Sequence, residues 1–137
     1  MKKAITGLMI TGLIMGFSSA ASAKCHVNLE IKNSSSVSKN IKVLSSYWKA
    51  TKRSTRLTEE PNQMVALGDS WSTSGTIGIK KCDSKGRKHT ARFAYVCWNP
   101  YGQAQTFYPS ITFKDGGRHI NAKYVVTTCG RGNWTHS

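Results

Sequence analysis

Cys25-His26-Val27-Asn28-Leu29-Glu30-Ile31-Lys32 alternates apolar and polar side chains without a break. A two-residue period is the pitch of an extended chain, whose successive side chains leave on opposite faces. Cys25, Val27, Leu29 and Ile31 therefore predict one buried face, and His26, Asn28, Glu30 and Lys32 one wet face. Asn33-Ser34-Ser35-Ser36 ends the run. The same pattern recurs along the chain. Residues 41–48 place Ile41, Val43 and Tyr47 on one face, 64–67 form a short strand, and 76–82 turn Ile77 and Ile79 inward. Residues 89–98 carry Phe93, Tyr95 and Cys97 on one face. Residues 104–113 bend near Pro109, which cannot donate to a ladder. Residues 119–129 close the sheet, and the tail 130–137 reads as loose apart from Trp134. About seven strands, no amphipathic helix and no internal repeat predict an all-β fold, a single antiparallel β-sandwich.

The sandwich is expected over residues 24–137. Ahead of it, Met1-Lys2-Lys3, an apolar run from Ile5 to Phe17 and the ending Ala21-Ser22-Ala23 have the layout of a Sec signal peptide. The apolar run is too short to span about 30 Å of hydrocarbon. Lys24 stands where a lipoprotein motif before Cys25 would need a small residue. Cleavage would leave 114 of 137 residues, the size of one domain with a modest core, in the periplasm or outside the cell.

All four cysteines, Cys25, Cys82, Cys97 and Cys129, lie beyond the leader. An even count in an exported chain of this size predicts two disulfides. Three pairings are possible. A hairpin turning at 83–88 would place Cys82 opposite residues near His89 and far from Cys97, so Cys25–Cys82 with Cys97–Cys129 is the preferred pairing. No two cysteines have the two-to-four-residue spacing of a structural zinc site, and neither a metal nor another cofactor is expected.

Removing Lys2 and Lys3 from 20 basic residues leaves 18 against 6 acidic, a net charge of +12. Such an excess repels itself and speeds encounter with anionic partners. Two clusters hold much of it. Lys49, Lys52, Arg53 and Arg56 lie in an expected basic loop after Tyr47-Trp48. Lys80, Lys81, Lys85, Arg87, Lys88 and Arg92 span the expected hairpin, which would gather them at one end. Clustered cations suit phosphate recognition, where many weak contacts add. Trp98, Tyr101, Phe107 and Tyr108 flank the turn Asn99-Pro100-Tyr101-Gly102, and Trp71 and Trp134 are expected in loops. Trp71, Trp98 and Tyr101 are candidate interfacial residues, because an amphipathic ring settles where one end is apolar and the other wet. Phe93, Tyr95 and Phe107 are expected in the core.

Familiar catalytic signatures (Gly-x-Ser-x-Gly, His-Glu-x-x-His, a phosphate-cradling glycine loop) are missing from the sequence. A small basic nuclease would need His89 or His119 beside Glu59 or Glu60, and nothing in their spacing requires it.

Ser38-Lys39-Asn40-Ile41-Lys42-Val43 with Trp48-Lys49, Gly75-Thr76 before an alternating strand, and Tyr95-Val96-Cys97-Trp98-Asn99-Pro100-Tyr101-Gly102 together resemble the aegerolysins, small lipid-binding β-sandwich proteins. The last segment is similar to that family's aromatic-Cys-Pro-aromatic-Gly turn, with Trp98-Asn99 inserted between Cys and Pro. The resemblance implies headgroup binding near Trp98 and Tyr101 and a separate pore-forming partner. The leader, the four cysteines and the +12 charge depart from the family's pattern.

These features point to a non-catalytic exported protein that binds an anionic membrane or envelope lipid. The alternatives are an inhibitor or immunity factor for an acidic protein partner, then a nucleic-acid binder, then a small ribonuclease.

Overall fold

The computed structural model describes residues 24–34, 40–50, 53–57 (backbone alone for 53–55), 62–78, 82 and 85–137. The leader 1–23, Ile79, and the candidate residues Lys52, Lys80 and Lys81 lie outside them. Among the described residues there is no helix, and the strands are β1 (Cys25–Asn33), β2 (Asn40–Ala50), β3 (Arg53–Arg56), β4 (Gln63–Ala66), β5 (Ser70–Ile77), β6 (Lys88–Trp98), β7 (Ala104–Phe107), β8 (Ser110–Lys114), β9 (His119–Thr128) and β10 (Arg131–His136). They form two packed sheets. Sheet A has the order β10-β9-β1-β5. Sheet B has the order β3-β2-β6-β7, with β4 also beside β2 and β8 also beside β6. The fold is an all-β sandwich.

The opening alternation holds along the whole of β1. Cys25, Val27, Leu29 and Ile31 are buried, and the side chains between them face outward. β1 pairs antiparallel with β5 but parallel with β9, from His26 opposite His119 to Asn33 opposite Val126. A parallel neighbour needs a long crossover, and here all of sheet B lies between the two strands. One parallel pair thus sits inside an otherwise antiparallel sandwich.

β2 departs from its sequence pattern. Ile41 and Val43 face the core as expected, but a bulge shifts the β2–β6 register between Val43 and Ser45. One extra residue on a strand exchanges the two faces for everything after it. Ser46, Trp48 and Ala50 are consequently buried, and Tyr47 turns outward. The expected basic loop after Trp48 is instead the end of β2 and the strand β3, paired as a hairpin with Tyr47 opposite Arg56.

The expected strand at 76–82 lies mostly earlier, as β5. Its sequence, Ser-Trp-Ser-Thr-Ser-Gly-Thr-Ile, has little apolar signal. Thr73 faces inward and donates its hydroxyl hydrogen to the Leu57 carbonyl at 2.8 Å. A Cβ on Gly75 would stand 2.6 Å from Leu57 Cδ2, so any larger residue there would push that side chain aside. β5 belongs to sheet A and β6 to sheet B, so the hairpin expected around 83–88 is a crossing between sheets. The preferred cysteine pairing holds nonetheless. Cys25–Cys82 ties β1 to that crossing, and Cys97–Cys129 joins β6 to the end of β9. Chain-entropy arithmetic for separations of 57 and 32 residues gives about 4 kcal/mol each. Two such bonds are in keeping with an exported protein in an oxidising compartment.

Aromatic rings fill much of the space between the sheets. Phe93 stacks on Trp134 at 6.0 Å, and Tyr95 meets Phe107 at 5.8 Å and Tyr124 at 6.1 Å. The tail is thus not loose, because Trp134 anchors it as β10. Trp71 is not in a loop either; it lies in β5, half-buried and packed against the core. Toward the other end, Trp48, His89 and Phe113 form a second group.

Candidate functional site

Strand pairing brings the two basic clusters together on the outer face of sheet B. The inward partners are Trp48 with Ala91 and Ala50 with His89, all buried, so the residues between them face solvent. Tyr47 stands between Arg56 on β3 and Arg92 on β6. Arg92 Cζ lies 4.9 Å from the centre of the Tyr47 ring, a cation–π contact worth about 0.5–1 kcal/mol at an exposed site. Lys49 pairs with Thr90, and Lys88 with Lys114 on β8. Placing two lysines directly opposite each other is unfavourable for the sheet itself. Exposed Lys85 precedes this edge in the turn before β6, and Arg87 beside it is half-buried. Of Arg53 the structure describes only the backbone, within β3.

The other end of the same face is apolar. Met64 on β4, 53% exposed, lies opposite Lys42, which lies opposite Val96. Ala66 is opposite Asn40, and half-buried Trp98 opposite Ala104. Two turns extend this end. The β4–β5 turn carries Leu67, 56% exposed, and the β6–β7 turn carries Tyr101, 89% exposed. Asn99 stiffens the second turn. Its Oδ1 accepts the N–H groups of Tyr101 and Gln103, each at 2.9 Å, and its Nδ2 donates to Gln103 Oε1 at 2.9 Å. Gly102 adopts φ +81°, a conformation glycine takes without cost, and its N–H donates to the Asn99 carbonyl. Tyr101 is therefore held out into solvent by a braced loop.

Carboxylates are missing from the described strands of sheet B. Asp69 sits in the turn beside Leu67, and Asp115 follows β8, where its Oδ1 accepts the Gly117 N–H at 2.7 Å. Glu30 is on the outer face of sheet A, 3.6 Å from Lys123. The outer face of sheet A is less basic, with Lys32 and Lys123 set against Glu30, with Ser70, Ser72, Ser74 and Thr76 on β5, and with a groove of about 310 Å³ lined by Asn28, Glu30, Asn121 and Lys123 among others. Cations are thus denser on the outer face of sheet B, where the described strands carry no carboxylate.

Of the residues expected at the site, Lys49, Arg56, Lys88, Arg92 and Trp98 share the outer face of sheet B, with Lys85 and Tyr101 in turns at its ends. Trp71 belongs to the core. Lys42, Met64, Leu67 and Lys114 complete the face and carry no mark in the sequence; only the pairing register shows them.

The cluster Cys25, Cys82 and His89 brings three potential ligand atoms within 4.8 Å of one another. Both sulfurs are bonded to each other. His89 Nδ1 accepts the Trp48 Nε1–H at 3.0 Å, which puts the ring's own proton on Nε2. Neither nitrogen then has a lone pair to offer, so the cluster does not fit a metal. Burial holds the His89 imidazole below its ordinary value, partly offset by Asp115, and Arg87 adds to the lowering. His89 is fully buried, and His119 lies on sheet A, stacked on His26 with ring centres 5.1 Å apart. Glu59 and Glu60 lie outside the described residues.

The chain matches no protein-family model and no curated protein at a significant level.

Proposed function

We propose that this is an exported, non-catalytic protein that docks on an anionic membrane or envelope surface through the outer face of sheet B. The leader 1–23 would carry it through the Sec pathway. One observation carries the reading. A single sheet face joins a cationic half around Arg56, Arg92, Lys88 and Lys114 to an exposed apolar half around Met64, Leu67, Trp98 and Tyr101. Cations supply long-range attraction, and the apolar groups gain free energy on leaving water at the interface. A nucleic-acid track would interleave stacking rings with its cations. Here the one ring placed between the arginines, Tyr47, is already covered by Arg92, Trp98 lies six residues from Arg92 on β6, about 20 Å at strand rise, and aliphatic Met64 and Leu67 cannot stack on a base. The aegerolysin-like turn 95–102 falls at the apolar end, where a headgroup-binding loop would be needed.

Vesicle co-sedimentation tests the reading. Wild-type protein should sediment with phosphatidylcholine vesicles containing phosphatidylglycerol and far less with phosphatidylcholine alone. In about 10 mM salt, where charges act over about 30 Å, the variant Lys49→Gln/Arg56→Gln/Lys88→Gln/Arg92→Gln should lose that preference. Equal retention of both proteins would mean that net charge acts without a site. Failure to sediment, with tight binding to an oligonucleotide or an acidic protein, would replace the membrane by that partner.

A further inference from the structure

We infer that the ligand is a membrane-anchored glycolipid with an extended, phosphorylated saccharide headgroup, an inference that rests on the membrane reading above. The argument is one of length. Among the described residues, three of the four large exposed hydrophobics, Met64, Leu67 and Tyr101, are at one end of the sandwich, Leu67 and Tyr101 in turns beyond the strand ends; the fourth, Tyr108, lies between β7 and β8 beside the middle of β6. Inserting that tip stands β6 away from the membrane. At about 3.4 Å per residue, the Lys42–Val96 row then lies about 7 Å above Trp98, the Arg92 row about 20 Å and the Lys88–Lys114 row about 34 Å.

A bilayer is about 40–45 Å thick with headgroups and about 30 Å without, so each headgroup layer is only about 5–8 Å deep. Lys42 can meet phospholipid phosphates at that level. Arg92, Lys88 and Lys114 stand beyond it by more than the ~8 Å over which salt screens a charge at physiological strength. A phospholipid surface leaves those rows without a counter-charge. A chain of phosphorylated sugars rising from the same membrane would pass along β6 and meet them in turn. The opposed lysines Lys88 and Lys114 repel each other in the free protein, and a phosphate between them reverses the sign of that interaction. Thr90, Thr112 and Ser110 pair within the same rows and offer hydroxyls for sugar hydrogen bonds.

Four probes test this: vesicles of phosphatidylcholine alone; vesicles with phosphatidylglycerol and vesicles with a lipopolysaccharide bearing a phosphorylated core saccharide, matched to each other in charge; and the same saccharide deacylated and free. Wild type should bind the lipopolysaccharide vesicles more tightly than the phosphatidylglycerol vesicles, and the free saccharide more weakly than the vesicles. At physiological salt Arg92→Gln/Lys88→Gln/Lys114→Gln should lose roughly a hundredfold on lipopolysaccharide, about fivefold per charge, and far less on phosphatidylglycerol, whose phosphates lie beyond the screening length of these rows. Lys42→Gln should weaken both. All four positions are on the sheet surface, and circular dichroism confirms that the variants fold. Equal binding to the two anionic vesicles overturns the inference, as does an equal loss on both by the triple variant; the membrane reading survives either result. Free saccharide binding as tightly as the intact lipid also overturns it. Binding to no anionic vesicle rejects the membrane reading itself.

Discussion

Replacing Trp48 by Phe tests the buried polar contact between Trp48 and His89. Trp48 and His89 are both fully buried, and the indole N–H donates to His89 Nδ1 at 3.0 Å. Phenylalanine keeps an aromatic ring against Phe113 but removes the donor. The lone pair on Nδ1 then stays in the core without a partner, at a cost of about 1–3 kcal/mol. Losing part of the indole opens on the order of 40 Å³, which adds about 1 kcal/mol if the site does not collapse. The total, about 2–4 kcal/mol, should lower the unfolding midpoint by roughly 10 °C. The pH dependence gives an independent reading. Burial lowers His89 in the folded protein, so the unfolded chain takes up its proton first as the pH falls. Its contribution to stability is therefore full above the ordinary value of 6.5 and is lost as the pH drops through 6.5 toward the folded value. In wild type a second ring proton must go to Nδ1, against the Trp48 donor; without that donor His89 protonates more easily. Denaturant unfolding followed by circular dichroism between pH 8 and 5 should show a shallower loss for Trp48→Phe than for wild type. An unchanged midpoint at pH 8, together with parallel pH profiles, would refute the role given to this bond.

Three further outcomes are expected. Cys97→Ala/Cys129→Ala should cost about 4 kcal/mol in chemical denaturation, and a loss below about 1 kcal/mol would mean the unfolded chain is already constrained there. Trp98→Ala/Tyr101→Ala should cut vesicle retention in 1 M salt, where screening leaves a range of about 3 Å, and leave low-salt attraction nearly intact; equal retention of variant and wild type in high salt would exclude tip insertion. Deleting Leu44 should leave a folded, cooperatively unfolding protein, because Val43–Tyr95 and Ser45–Ala94 become consecutive pairs and Trp48 stays opposite Ala91; inserting one residue between Ser46 and Tyr47 should instead turn Trp48 out of the core, and a native-like insertion variant would show that the register is not set there.

The parts of the fold legible in the sequence are those where burial alone decides the side-chain pattern. β1 and β6 alternate because each lies between neighbours with one face on the core. β5 hides from that test, since its inner face is made of Trp71, Thr73 and Gly75 and is covered by Leu57. The Leu44 bulge is equally hidden. Ile41, Val43 and Tyr47 make a sound alternation, and only the partner strand shows that it breaks. The cysteine pairing follows from the sequence only through a hairpin that the structure replaces with a crossing between sheets, so the pairing is right while its local reason is not. At the candidate site the basic clusters and the Trp98–Tyr101 turn stand out by composition. Lys42 and Lys114 do not, because a lone lysine on a strand has no mark until pairing places it beside others.

The parallel contact between β1 and β9 also carries a kinetic consequence. β1 is interior to sheet A, yet one of its two neighbours is nearly the last strand of the chain. A chain threaded across a membrane N-terminus first cannot complete that sheet until residues 119–128 have followed, and contacts between strands so distant in sequence close slowly. The first strand to arrive must wait, with His26 to Asn33 unpaired along one edge. During that interval Cys25 is exposed and its partner Cys82 follows well before β9, so oxidation can hold the early segment in place while the remainder emerges. On the export route proposed above, this topology would delay completion of the fold until translocation is nearly finished, and the N-terminal disulfide would fall early in that sequence of events.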